Sequence, residues 1–280
     1  MQNKLFSPYQ IEPDPSEAEV APGAREGLDD RQFATTLAKG LELLRCFSPM
    51  DPILSNKQLA QKMGVSRPTV SRFTYTLVKL GYLILEPVSG KYKLGPAVLT
   101  LGYPLLASMS FRQKVRPMMD ELAYQLKASV SMAVRDRMSM VYVETSRGTS
   151  HAFTQLSDIG LRFPIATTAV GRAFLAGCDE KIRASLLNAI RVRTPDHWQK
   201  LSSKLNQVRE EFIRSGFCSS LGEQHSEFHA VGVPFKRGLE EQVVVFNCVV
   251  PSLQADKEQI QRVLGPKLVA MVQKIRQSSL

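Results

Sequence analysis

Arg67 and Arg72, together with Ser66, Thr69 and Ser71, place five hydrogen-bonding side chains within one short stretch, and Lys91 and Lys93 follow further along the chain. An arginine fork bonds bidentately to guanine edges and to phosphate, and small hydroxyl side chains let a backbone come close to a groove. Alternating lysines on a strand suit contacts to phosphates. The chemistry these residues offer is recognition of double-stranded DNA, with no bond made or broken. A lone arginine on a helix is ordinarily a solvated surface charge. What favours nucleic acid is the arrangement that surrounds these two.

That arrangement is a set of short elements from Thr35 to Gly95. Ser55 is an N-cap ahead of Leu59, Ala60 and Met63, and Gly64 ends the helix with a residue that tolerates a left-handed backbone. Val65 reads as a buried pivot and Ser66 as the cap of the next helix, with Pro68 in the first turn, where a missing N–H costs nothing. Val70, Phe73, Leu77 and Leu80 recur at helical spacing and are expected in the core, leaving Arg67, Thr69, Ser71 and Arg72 outward. The helix closes at Gly81. Two short strands around Ser89-Gly90 then form a wing that carries Lys91 and Lys93. A preceding helix, Phe33 to Phe47, bears Leu37, Leu41 and Leu44 on one stripe, suited equally to the domain core and to dimer packing. Residues 31 to 107 hold ten Lys and Arg against three acids, a net of +7 within a chain of net +10. Such a density of positive charge is the footprint of polyanion binding.

At 280 residues and 44% hydrophobic composition the chain can build two packed domains and a tail. Residues 1–30 carry four prolines and seven acids against two bases, and are expected to be disordered. Neither a signal peptide nor a run long enough to span a membrane is present, so a soluble, cytoplasmic protein is expected. The four cysteines are scattered without a C-x-x-C pair, which argues for buried thiols and against a zinc ribbon or a disulfide framework.

Pro96 to Leu126 has a helical pattern, interrupted by Pro104 and Pro117 and broken around Ser108 to Ser110, forming a semi-rigid connection able to transmit change. Beyond residue 128, SVSMAV and MVYVET flank the turn Arg135-Asp136-Arg137 as a hairpin. Thr167 or Thr168 caps a helix running to Gly177, and another spans Glu180 to Ile190. Thr194 and Pro195 supply the N-cap and first residue of a long helix that Gly216 ends. AVGVPFK and QVVVFNCVV are strands around Arg237-Gly238, and Lys257 to Arg276 is a final amphipathic helix. Strands with helices on their faces indicate an α+β domain of a size that holds a small ligand.

If Thr168 is the cap, the N–H groups of Ala169, Val170 and Gly171 point outward at a positive helix end, an anion site suited to a carboxylate. Ser219 and Ser220 add hydroxyls, and Leu156, Ile159 and Phe163 an apolar wall. The ligand expected there is a small organic acid; the plainer reading is a capped helix in a packed domain. His225 and His229, with Glu223 and Glu227, would bind metal on a helix, but Phe228 and the strand that follows favour a loop, and no metal is expected. No G-x-S-x-G, P-loop, G-x-G-x-x-G or His-Glu-x-x-His motif occurs, and Cys178 lacks a sequence hint of a base. Neither an enzyme nor a cofactor is expected. The rival from another class is a ligand-binding or scaffolding protein whose helix-turn-helix makes protein contacts only. A steep salt dependence of DNA affinity separates the two.

With these residues in place, the chain resembles the IclR family of bacterial transcription regulators from about Phe33 to its end. The blocks SNKQLAQKMGVSRPTVSRFTYTLVKLGYL, GKYKLG, VYVETSRG, FPIATTAVGRAFLAG, VREEFIRSGF and AVGVPF carry the resemblance. It implies an N-terminal winged helix-turn-helix (31–95, after the tail 1–30), a linker helix region (96–127) and a GAF-like effector-binding domain (128–280). It also implies homodimers that can pair into tetramers, an operator in double-stranded DNA, and repression more often than activation. The chain departs from the family at Gly171-Arg172-Ala173, where Gly-Lys-Ala is usual, at Ser220, where an effector-contacting acid is usual, and at Ala230. Effector identity therefore does not carry over.

Overall fold

The computed structural model describes residues 32–148, 157–223, 226–236 and 243–278. The tail 1–30, Leu156, His225 and the turn Arg237-Gly238 lie outside the described residues. The chain divides into two compact units between Ser108 and Met109.

In the first unit, α1 (Thr35–Arg45), β1 (Ile53–Leu54), α2 (Asn56–Met63) and α3 (Arg67–Lys79) precede β2 (Leu83–Leu85), β3 (Tyr92–Leu94) and α4 (Ala97–Ser108). The strands form an antiparallel sheet in the order β1-β3-β2. The start of α2 is a full capping box: Ser55 accepts from the Gln58 N–H while the Gln58 side chain accepts from the Ser55 N–H. Its end is Gly64 at φ 63, the left-handed position that glycine occupies without a Cβ clash. Leu43, Leu54, Leu59, Val70, Leu77 and Leu83 close the core. Val65 is half-buried rather than fully enclosed, and packs at the edge of that core.

Leu80 departs from the expected pattern. It is 61% exposed, because α3 ends one residue earlier and Gly81 turns the chain at φ 77. The Tyr82 N–H returns to the Leu77 carbonyl at 2.9 Å, so Leu83 takes the core place that helical spacing assigned to Leu80. Leu37 and Leu41 of α1 are exposed, and no residue of α4 is buried although that helix is almost wholly apolar.

The second unit opens with α5 (Ser110–Leu126). Met109, at φ −84 and ψ 71, interrupts the helical path; Pro104 and Pro117 sit inside α4 and α5 without breaking them. Then come β4 (Ser129–Asp136), β5 (Ser139–Arg147), β6 (Arg162–Pro164), α6 (Ala169–Gly177), α7 (Glu180–Arg193), α8 (Trp198–Ser215), β7 (Cys218–Leu221), β8 (Phe228–Phe235) and β9 (Val244–Pro251). The six strands form one antiparallel sheet in the order β6-β5-β4-β9-β8-β7. The carboxyl end of the chain forms α9 (Lys257–Gln259), a π turn (Ile260–Leu264) and α10 (Gly265–Gln277). Helices α5 and α10 pack on the sheet, as do α6 and, at β7, α8.

Thr194 and the final helix both differ from expectation. The Thr194 hydroxyl donates backward to the Ile190 carbonyl at 2.9 Å, so it closes α7, and a 3₁₀ turn at Pro195–His197 leads into α8. The final helix is not continuous. Pro266 has no N–H to give to the turn before it, and the ladder widens here, the Gly265 N–H reaching the Ile260 carbonyl. Gly265 is required at this point because a Cβ would lie 2.2 Å from the Phe217 ring. The strand edges β1, β6 and β7, each two to four residues long, carry too little period-two pattern to be read from the sequence.

Candidate functional site

Helix α3 is presented by its packing on α2. The Asn56 Nδ2 donates to the Ser71 hydroxyl at 3.2 Å, and the buried Thr74 hydroxyl donates to the Val70 carbonyl at 3.0 Å. Ser71 is thus a positioning contact between the two helices as well as a surface hydroxyl, and Asn56 is a residue that sequence reasoning passed over. Ser66 occupies the N-cap without accepting an N–H; its hydroxyl pairs with that of Thr69 at 2.9 Å. Arg67 and Arg72 are exposed and have no ion-pair partner among the described residues. Further along α3, Tyr75 is 66% exposed with the Lys79 ammonium 5.7 Å from its ring centre. An apolar ring on a helix face otherwise lined with arginines and hydroxyls is suited to a thymine methyl or a sugar.

On the wing the two lysines differ. Lys93 is half-buried and ion-paired with Glu86 at 3.4 Å, whereas Lys91 is exposed beside Gly90. A charge that already faces a carboxylate releases fewer counterions on meeting a phosphate. The Lys91→Ala variant is therefore expected to weaken all DNA sequences alike and to flatten the salt slope by about one, with Lys93→Ala having the smaller effect; titrations at several salt concentrations measure both.

In the second unit, the first turn of α6 opens on a cleft lined mostly by apolar side chains with a few polar groups, the make-up of a small-molecule site. Thr168, Ala169, Val170, Phe163, Ser220 and Ala230 line it, together with Tyr142, Phe228, Asn247 and Val249. The Thr168 hydroxyl accepts from the Gly171 N–H at 3.2 Å and donates to the Pro164 carbonyl at 2.7 Å. The first bond of the helix ladder comes from the Arg172 N–H to the Thr168 carbonyl, so the N–H groups of Ala169 and Val170 precede it. Gly171 is otherwise than expected: its N–H is taken by the cap, and its role is steric, since a Cβ there would lie 2.3 Å from the Ile165 carbonyl oxygen.

Ser219 and Ile159 also fall elsewhere. Residues 218–221 form a strand, in which neighbours face opposite sides; Ser220 opposes Ala230 on the cleft side, and Ser219 opposes Val231. Ile159 is 40% exposed and does not line the cleft. Four lining residues come from strands that sequence reasoning did not bring together. Asn247 donates to the Tyr142 hydroxyl at 2.7 Å, and burial pushes that phenol well above its ordinary range. The Asn247 Oδ1 is buried with no partner among the described residues. A buried acceptor left unpaired is costly, and a ligand donor would relieve it.

Behind the cleft stands Arg172, buried in α6. It donates to the carbonyls of Ala166 at 3.2 Å and Ser219 at 3.4 Å and pairs with Glu223, which Lys204 also approaches at 3.1 Å. Burial alone would raise the Glu223 carboxyl, but the two cations outweigh it and hold it below the usual carboxylate range. Arg172 is thus spent on the fold.

His229 lies on strand β8, so Glu223, Glu227 and His229 do not share a helix face; no metal-binding group of three occurs among the described residues. Burial raises the thiols, to about 11 at Cys46 and about 12 at Cys218 and Cys248, and Cys178 is raised as well, which leaves them protonated and poor nucleophiles. Among the described residues no helix is long and apolar enough to cross a membrane.

Comparison with known proteins agrees with this geometry. Residues 36–85 match the family described as IclR helix-turn-helix domain, and residues 104–277 that described as bacterial transcriptional regulator IclR C-terminal. An HTH-type transcriptional regulator from Comamonas testosteroni, TsaQ1/TsaQ2, is 34% identical over 242 residues, 86% of this chain and 87% of its own. A crystal structure of an IclR family transcriptional regulator from Brucella abortus superposes with a TM-score of 0.80 at 41% identity, covering 92% of this chain and 97% of that one. At 18% identity, an IclR homologue from Microbacterium hydrocarbonoxydans solved with 4-hydroxybenzoate shares the fold, with a TM-score of 0.63 over 87% of this chain and all of its own. A winged helix-turn-helix joined to a ligand-binding α+β unit, matched by both family descriptions, makes this chain a member of the IclR family, a DNA-binding transcriptional regulator with an effector domain.

Proposed function

We propose that the protein is a repressor that binds its operator as a homodimer and answers to a small organic acid held in the cleft at the start of α6. Residues 31–95 are the DNA-binding part, 96–127 the connection and 128–280 the effector part, working in the cytoplasm without enzymatic activity. The observation that carries the ligand class is the shape of the cleft's polarity. One end offers the Ala169 and Val170 N–H groups at a helix N-terminus, suited to a carboxylate. Elsewhere the lining holds Ser220 and the Asn247 Oδ1, which has no partner among the described residues and is suited to a hydroxyl, and the walls are the rings of Phe163, Phe228 and Tyr142 with Val249. Among the described residues no charged side chain lines the cleft, so a monoacid with an apolar body fits better than a polyanion. Helix α3 enters the major groove through Arg67, Thr69 and Arg72, and the exposed leucines of α1 and α4 supply the apolar area for pairing of protomers.

Titration of the full chain by calorimetry with benzoate, 4-hydroxybenzoate and short aliphatic acids is expected to give saturable heat with at least one of them. Ala230→Phe, which fills the cleft, is expected to abolish that heat while leaving DNA affinity within about twofold. Heat that survives Ala230→Phe, or none with any acid, overturns the assignment of this cleft. Sedimentation of Leu101→Asp as a monomer would support pairing through α4.

A further inference from the structure

A second, smaller cleft lies among α6, α7 and α8 and is lined by Arg172, Arg183 and Arg209 with Asn206 over a floor of leucines and Val208. Its electrostatics are unlike those of the first. Arg183 is 9% exposed, yet its one ion-pair partner among the described residues is Glu180, one turn earlier on α7, whose own side chain is 74% exposed. Arg209 from α8 approaches the same Glu180 carboxylate at 3.9 Å. One surface carboxylate therefore serves two guanidinium groups. On the inner wall Glu223 in turn serves Arg172 and Lys204. Among the described residues these four cations thus share the carboxylates of Glu180 and Glu223, and a nearly buried arginine that leans on an exposed surface acid is costly to keep unless further negative charge reaches it. Arginine donors converge from two helices, as bidentate recognition of an oxyanion needs, and the apolar floor accepts a short carbon chain.

We propose that this cleft is a second ligand site, for a small oxyanion, carboxylate or phosphate, bound by Arg183 and Arg209 with Asn206 as a neutral donor. Glu180 is the built-in competitor that the anion displaces. Arg172 connects the two sites: it stands on the wall of the second cleft and holds the carbonyl of Ser219, next to Ser220 of the first.

The test is calorimetric titration of the full-length protein with succinate and with inorganic phosphate, at constant ionic strength against chloride. Saturable binding of either is expected, and which of the two binds tells carboxylate from phosphate. Arg209→Gln, a half-exposed position whose change spares the fold, is expected to weaken binding at least about tenfold. Glu180→Gln, which removes the competitor, is expected to tighten it. Ala230→Phe, which closes the first cleft, is expected to leave it unchanged, so that failure of the first site and of this one are distinguishable. Absence of saturation with both anions overturns the proposal, as does binding that Arg209→Gln leaves intact or Ala230→Phe abolishes.

Discussion

Replacing Arg67 by alanine is expected to remove discrimination between operator and scrambled DNA at a cost of about 1 to 3 kcal/mol, with little change in affinity for random sequence. The reason lies in where α3 places this side chain. Arg67 is the first residue of the helix, exposed, without an ion pair among the described residues, and next to a cap whose hydroxyl is engaged with Thr69. A guanidinium so placed loses no existing contact on reaching a guanine edge, so its contribution appears as base preference. Arg72, one turn further, is expected to act likewise on a neighbouring base pair. Fluorescence anisotropy on DNA from upstream of the protein's own gene, against a scrambled control at two salt concentrations, measures both. Equal loss on specific and random DNA would instead make Arg67 a phosphate contact. An undiminished preference would move base reading elsewhere on α3, with exposed Tyr75 the next residue to replace.

Gly171→Ala is expected to be the most damaging single methyl in the effector unit. An added Cβ would lie 2.3 to 2.5 Å from three backbone atoms of Ile165, and backbone cannot swing aside as the end of a side chain can. Either α6 lifts from the Ile165 segment or the segment shifts, and both movements disturb the Thr168 cap and the cleft beside it. A loss of about 3 kcal/mol is expected, which is roughly 6 to 12 °C in Tm for a unit of this size, with loss of acid binding. Gly40→Ala is the contrast, since its added methyl meets nothing within 4 Å, and it is expected to stay within about 1 kcal/mol of the parent. Scanning calorimetry of the two variants reads the difference directly. A Gly171→Ala protein as stable as the parent would mean that the close approach of α6 to Ile165 is dispensable.

Much of the first unit was legible because its signals are local. Ser55, Gln58 and Gly64 state the limits of α2 within ten residues, Pro68 and Gly81 those of α3, and the hydrophobic spacing between them selects the buried face. The misplacement of Leu80 arose where periodicity was carried one residue past the point at which Gly81 redirects the chain, while Val65 proved half-buried and Ser66 capped α3 by position without its side chain accepting an N–H. The break at Met109 was legible for a similar reason, a loss of pattern between two apolar series. In the second unit the cap of α6 was readable, and so were the hairpin of β4 and β5 and the strands β8 and β9.

The sequence by itself determined the caps, turns and charge distribution that set out a basic helix-turn-helix, because each depends on residues a few positions apart. Tertiary structure alone decided which side chains share the cleft. Tyr142, Phe228, Asn247 and Val249 stand on three strands whose neighbours are set by the order β5-β4-β9-β8, with β9 brought beside β4 across more than a hundred residues of chain. The assignment of Ser220 to the cleft and Ser219 to the other side followed from the pairing of β7 with β8, and the loss of the Gly171 N–H to Thr168 from the seating of α6 on Ile165. Such pairings are selected by burial and hydrogen bonding over the whole sheet, and no local pattern of residue types encodes them.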